Sequence, residues 1–177
     1  PFFEYVHSQT PAMTVLVIEN KDTWFSFRKL MQSTGKNVIA GIAVDLLLYG
    51  EGNKIAKKGA LEEYATGMLR SEEGQTIRFM YFGDLDLEGI RLFYRTRDAN
   101  PSLSIQPFAA LYLLMLKLAQ GREMPESPDK RGMPAAVEDF AELLGGDQVN
   151  VINDLLAAGR YIPQEIINYQ VLAGILS

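Results

Sequence analysis

Three stretches of this chain run through apolar, strand-forming residues and then stop abruptly at a glycine or an acid. Thr14-Val15-Leu16-Val17-Ile18 ends in Glu19-Asn20, and Val44-Asp45-Leu46-Leu47-Leu48-Tyr49 ends in Gly50-Glu51-Gly52. Residues 76–82 end in Gly83-Asp84-Leu85-Asp86. The first run is continuously apolar and largely β-branched, the pattern of a strand buried on both faces. Between the runs the spacing becomes helical. Trp24, Phe25, Phe27, Leu30 and Met31 predict a helix over 22–31 with Asp22 as its N-cap. Further helices are expected over 54–70 and over 87–97, the latter closed by Asn100-Pro101. Residues 103–107 read as a fourth, short strand, whereas 37–42 fit neither period. Strands alternating with helices imply right-handed crossovers and a mostly parallel, four-stranded α/β sheet.

Beyond this alternation the pattern changes. Residues 108–118 are strongly apolar and predict a buried helix, and 121–134, with three prolines and mixed charge, read as a loop or linker. Three short amphipathic helices over 135–144, 148–158 and 163–172 would form a helical cap. The expected organisation is an α/β core over 1–120 with a short N-terminal extension, a linker over 121–134 and the cap over 135–177.

Composition removes several kinds of chemistry. The 177 residues include no cysteine, which excludes disulfides, zinc–thiolate sites and thiol nucleophiles and fits a reducing compartment. No apolar run approaches the roughly 18 residues of a membrane span, and Pro1-Phe2-Phe3-Glu4 lacks the order of a signal peptide. A cytoplasmic protein without membrane contact is expected, and the opening on Pro1 rather than methionine points to a longer parent protein. The single histidine, His7, lies before the first strand, which counts against His-based metal sites and a Ser-His-Asp triad. A net charge of −5 argues against attraction to nucleic acid over the whole surface but leaves room for a local site. Lys54, Lys57 and Lys58 are candidate phosphate contacts there; their plainer reading is a solvated helix face.

The acids follow the strand ends. Glu19 closes the first strand, Glu51 lies in the turn after the second, and Asp84 and Asp86 follow the third. In a parallel sheet these ends share one edge, where ligands of open α/β sheets bind. Hard oxygen donors gathered there suit Mg²⁺, which would relieve their mutual repulsion. Each acid taken alone is equally readable as a cap of the helix that follows.

Glu19-Asn20 after an apolar strand, the Gly50-Glu51-Gly52 turn, and Gly83-Asp84-Leu85-Asp86-Leu87-Glu88-Gly89 together resemble the toprim domain shared by topoisomerases, primases and several nucleases. Val17-Ile18-Glu19-Asn20, Tyr81-Phe82-Gly83-Asp84-Leu85-Asp86 with Gly89, and the late Ile162-Pro163-Gln164-Glu165 are more closely similar to the C-terminal domain of the D subunit of Wadjet plasmid-defence systems. That subunit is itself similar to the A subunit of topoisomerase VI. The resemblance implies a Rossmann-like toprim sheet and a DNA endonuclease dependent on Mg²⁺ or Mn²⁺. It implies Glu19, Asp84 and Asp86 as catalytic and metal-binding residues, with Glu88 a further metal candidate. It also implies DNA as substrate, a homodimer, and a condensin-like complex as partner. Leu87 departs from the family's proline after the second aspartate. No tyrosine nucleophile is assigned, so metal-activated water is the expected attacking group. Two alternatives stand beside this reading: a toprim-like dimerisation or protein-binding module without catalysis, and a phosphatase of the haloacid dehalogenase type, which shares Asp-x-Asp but places it after the first strand.

Overall fold

The computed structural model describes residues 1–68, 74–128 and 134–177. Its strands are β1 (Glu4–Val6), β2 (Ala12–Ile18), β3 (Val38–Ile39), β4 (Ile42–Ala43), β5 (Leu46–Tyr49), β6 (Thr76–Phe82) and β7 (Ser104–Pro107). Its α-helices are α1 (Lys21–Thr34), α2 (Ala60–Met68), α3 (Leu87–Ala99), α4 (Ala109–Ala119), α5 (Pro134–Leu144), α6 (Val149–Ala157) and α7 (Tyr169–Ile175). The main sheet has the order β1-β5-β2-β6-β7, in which β5, β2, β6 and β7 are parallel. The result is a Rossmann-like α/β fold.

The central strand is β2, whose Val15, Leu16, Val17 and Ile18 are all buried. Its continuous apolar run therefore meets side chains on both faces, as a parallel sheet covered by helices requires. On one of those faces α1 buries Trp24, Phe27, Leu30 and Met31. The chain passes from β2 to β5 on one side and then crosses to β6 on the other. That reversal opens the crevice at which α/β sheets take ligands, beyond the carboxyl ends of β2 and β6.

The expected four parallel strands are present, and a fifth was not anticipated. It is β1, which runs antiparallel along the outer edge of β5. Residues 37–42, ambiguous by period, contribute to the β3–β4 hairpin, turned by Ala40 and Gly41 at positive φ. Three boundaries also differ from expectation. The N-cap of α1 is Asn20, whose side chain accepts from the Thr23 N–H at 3.0 Å, while Asp22 lies inside the first turn. The helix expected over 54–70 starts only at Ala60, because Gly59 at φ 69° breaks any continuation from the 3₁₀ turn Gly52–Lys54; Arg70 lies outside the described residues. The helix expected over 163–172 is two pieces, a 3₁₀ turn Gln164–Ile166 and α7, which Asn168 caps by accepting from Val171 N–H at 2.9 Å.

Downstream, α5 and α6 pack on one another, and α5 also meets α3, α4 and β7. The path from α6 to α7 instead returns across the sheet edge. Leu85 and Ile162 exchange backbone hydrogen bonds of 2.9 and 3.2 Å, and α7 settles against α1 and β3. Val38 and Ser177 then bond reciprocally at 2.9 and 2.8 Å.

Candidate functional site

The register of β2 against β6 places the acids. Ile18 pairs with Phe82, and Glu19 N–H donates to the Phe82 carbonyl at 3.1 Å, so Glu19 and Gly83 leave adjacent strand ends side by side. A Cβ on Gly83 would collide with Glu19 Oε2 and crowd the Tyr81 hydroxyl. A larger residue there would displace the Glu19 carboxylate from its place beside Tyr81. The Tyr81 hydroxyl donates to Glu19 Oε2 at 2.8 Å, and Gly83 N–H donates to the Tyr112 hydroxyl at 2.9 Å. Both tyrosines are buried, and burial, reinforced by nearby carboxylates, pushes their hydroxyls well above the usual phenol range. They act here as neutral hydrogen-bonding groups.

Past Gly83 the chain alternates, with Leu85 and Leu87 buried and Asp84 and Asp86 half-exposed between them. Asp84 Oδ1 accepts from Gln164 N–H at 2.8 Å. Burial raises the Asp84 carboxyl above its ordinary range, opposed by that bond and aided by the charge on Asp86. Asp86 is the N-cap of α3, its Oδ1 accepting from Gly89 N–H at 2.6 Å. A side chain at Gly89 would run into the Asp84 carbonyl, which accounts for the second glycine of the motif.

Glu19 is strongly perturbed. Burial, then the charges on Asp84, Asp86 and Glu88, push its carboxyl up to about 7 from an ordinary 4.5, against the lowering effect of the Tyr81 bond. Among the described residues neither Glu19 nor Asp84 forms an ion pair with a lysine, arginine or histidine.

Of the remaining candidates only Glu88 is near enough for its charge to act on Glu19. Glu88 is exposed and lies 3.7 Å from the Arg91 guanidinium. Glu51, at positive φ after β5, pairs with Lys54 at 2.7 Å, and the Lys54 ammonium also sits over the Phe2 ring. Lys57 and Lys58 are exposed. His7 lies 3.5 Å from the Tyr5 hydroxyl, on the β1 side of the sheet.

Sequence reasoning did not find three participants. Tyr81 and Tyr112 read as core aromatics, and nothing in their spacing shows that their hydroxyls reach the strand ends. Asn20 does more than cap α1. Its N–H donates to Gln164 Oε1 at 3.3 Å and its side-chain amide to Glu165 Oε1 at 2.7 Å. The loops after β2 and β6 are thus both tied to the segment at Gln164.

The donor chemistry of Glu19, Asp84 and Asp86 fits a hard dication, since all are carboxylates and Glu19 is raised partly by the other two. They do not form a ready-made cage: among the described residues no group of three His, Cys, Asp or Glu stands assembled for a metal. The family model described as Wadjet protein JetD, C-terminal, matches residues 2–173. No curated protein matches the chain.

Proposed function

The chain belongs to the family of the C-terminal part of the Wadjet protein JetD, and from that premise we propose that it cleaves DNA phosphodiester bonds in plasmid defence, with a divalent metal as cofactor. One observation carries the reading: Glu19 and the Asp84/Asp86 pair leave adjacent parallel strands at the point where the sheet order reverses. The residues that would hold Mg²⁺ or Mn²⁺ are Glu19, Asp84 and Asp86. The ion, when bound, would activate a water and neutralise charge on the phosphate and leaving oxygen.

The chain's own groups have separable tasks. Asp84 is oriented by the Gln164 N–H, and Asp86 by the first turn of α3. Glu19, held by the Tyr81 hydroxyl, would serve either as a ligand of the ion or, beside it, as the group that moves a proton at the attacking water or the leaving oxygen. Tyr81 and Tyr112, both buried, are poor nucleophiles, consistent with hydrolysis rather than a tyrosyl intermediate. DNA is the substrate in this reading, and the protein works as a homodimer beside a multi-subunit, condensin-like complex in the cytoplasm. No helix among the described residues is long and apolar enough to cross a membrane.

A rival reading, a binding module without chemistry, draws on the absence of an assembled three-ligand group among the described residues. Cleavage of circular DNA by the intact protein with its partners, with and without Mg²⁺, separates the two. Asp84→Ala is expected to lower cleavage by at least about a hundredfold, the loss expected when transition-state charge goes unstabilised. Undiminished cleavage by Asp84→Ala would remove the assignment, and metal binding without cleavage by the unmodified protein would favour the module.

A further inference from the structure

We propose that the outward face of α1 is the track along which the DNA backbone lies as it reaches the carboxylates. The inference rests on the cleavage reading and adds to it the surface that holds the substrate. Lys21, Phe25, Arg28, Lys29 and Gln32 recur at helical spacing and form one stripe. All are exposed except Arg28, which is half-buried.

Some of the surface cations elsewhere are matched by acids, although Lys57, Lys58 and the ring-stacked Arg97 show no such partner among the described residues. Lys54 is matched to Glu51, Arg91 to Glu88, and Arg160 to Glu123. On α1 no cation is paired with an acid among the described residues. Lys21 lies 6.0 Å from the centre of the Phe25 ring, Arg28 5.6 Å from Trp24, and Lys29 5.9 Å from Tyr169. A ring holds a cation in place without cancelling its charge. The stripe therefore stays positive on a chain of net charge −5. Asp22 is the single acid of the helix, at its first turn.

Position makes DNA the fitting occupant. The helix begins directly after Glu19-Asn20, so Lys21 stands two residues from the candidate general acid/base. From Lys21 to Lys29 the helix advances about 12 Å, the axial length of three to four phosphates of one strand at about 3.4 Å each. A shallow groove of about 420 Å³ beside this stretch is lined by Phe25, Arg28, Lys29, Gln32 and Ser33. Phe25, 46% exposed, offers the groove an apolar wall against sugars. The stripe and its groove thus start at the strand end that carries Glu19.

The test is binding of a short duplex by the intact protein, followed by fluorescence anisotropy without divalent metal across about 50–200 mM salt. Lys21→Ala/Lys29→Ala is expected to weaken binding about tenfold or more. It should also reduce the slope of log affinity against log salt by about 2, close to 0.9 for each phosphate that the protein no longer neutralises. Lys21→Arg/Lys29→Arg should retain both quantities, and Lys57→Ala/Lys58→Ala tests the competing phosphate contacts. An unchanged slope in the α1 alanine pair overturns the proposal, as does a loss confined to the Lys57/Lys58 pair or a protein that does not bind the duplex. The cleavage reading is judged apart from this. A protein that cuts no DNA but shows a smaller salt slope with the α1 pair would retain the track and drop the nuclease, whereas cleavage with an unchanged slope would do the reverse.

Discussion

Burial at the end of the central strand, with Asp84, Asp86 and Glu88 close by, pushes the Glu19 carboxyl up to about 7. Its folded-state pKa thus lies above the ordinary 4.5 that it has in the unfolded chain. The folded protein holds that proton more tightly, so this contribution to stability is complete below about pH 4.5 and is lost as pH rises through about 7. In urea unfolding with chelator present, the protein should lose on the order of 2 kcal/mol between pH 5 and pH 8 that Glu19→Gln does not lose, a shift discounted for partial exposure of the side chain. Parallel pH profiles for the two proteins would remove the electrostatic account of Glu19. The acids themselves are legible in the sequence, because each follows an apolar run. Their supports are not. Tyr81 sits among strand residues indistinguishable from core, and although Gln164 stands in the late motif Ile162-Pro163-Gln164-Glu165, nothing in that motif shows that it reaches Asp84.

The elements repeat this contrast between local and distant causes. β6 is readable to the residue because a seven-residue run rich in strand-forming types ends at a glycine and an acid. By contrast β1 has three residues, two of them exposed, and gains its place by pairing with β5 rather than by its own pattern. The start of α2 differs from expectation for a related reason. Its first N–H groups are satisfied by Asn100, whose Oδ1 accepts from Leu61 and Glu62 at 2.9 and 3.2 Å. The same side chain donates to the carbonyls of Ile55 and Thr96, and it is fully buried. A cap supplied from the far end of α3 is invisible to a reading that looks a few residues upstream. Asn100→Ala would leave two helix donors and two carbonyls without this partner, a cost of about 2–4 kcal/mol by denaturant titration. Asn100→Asp keeps the acceptor but sets a fully buried carboxylate against the Ile55 and Thr96 carbonyls, so its cost should be at least as large. A neutral Asn100→Ala would show that water replaces the asparagine at no cost.

At the scale of the whole molecule, the C-terminal segment from Ile162 onward connects the site to the stability of the fold. The segment pairs with Leu85 through Ile162, holds Asp84 and Asn20 through Gln164, and then lays α7 on α1 and β3. Alternating patterns predict parallel strands but not their order, and the path of this return likewise depends on contacts between residues far apart along the chain. Deleting 169–177 tests whether the return is a brace. The deletion removes the buried Leu172 and Leu176 and the reciprocal bonds between Val38 and Ser177. Two buried leucines at about 1.5–3 kcal/mol each set an expected loss of roughly 3–6 kcal/mol. Hydrogen exchange should then show protection falling first in α1 and β3, the elements α7 covers, while β6 keeps its protection from β2 and β7. Leu172→Ala provides the graded version, at about 2–5 kcal/mol. Because Gln164 remains in the truncated chain, DNA cleavage should fall only as far as the segment loosens from Asp84 and Asn20. Full cleavage by a strongly destabilised truncation would mean that the site is braced by the sheet alone and that α7 serves only the fold.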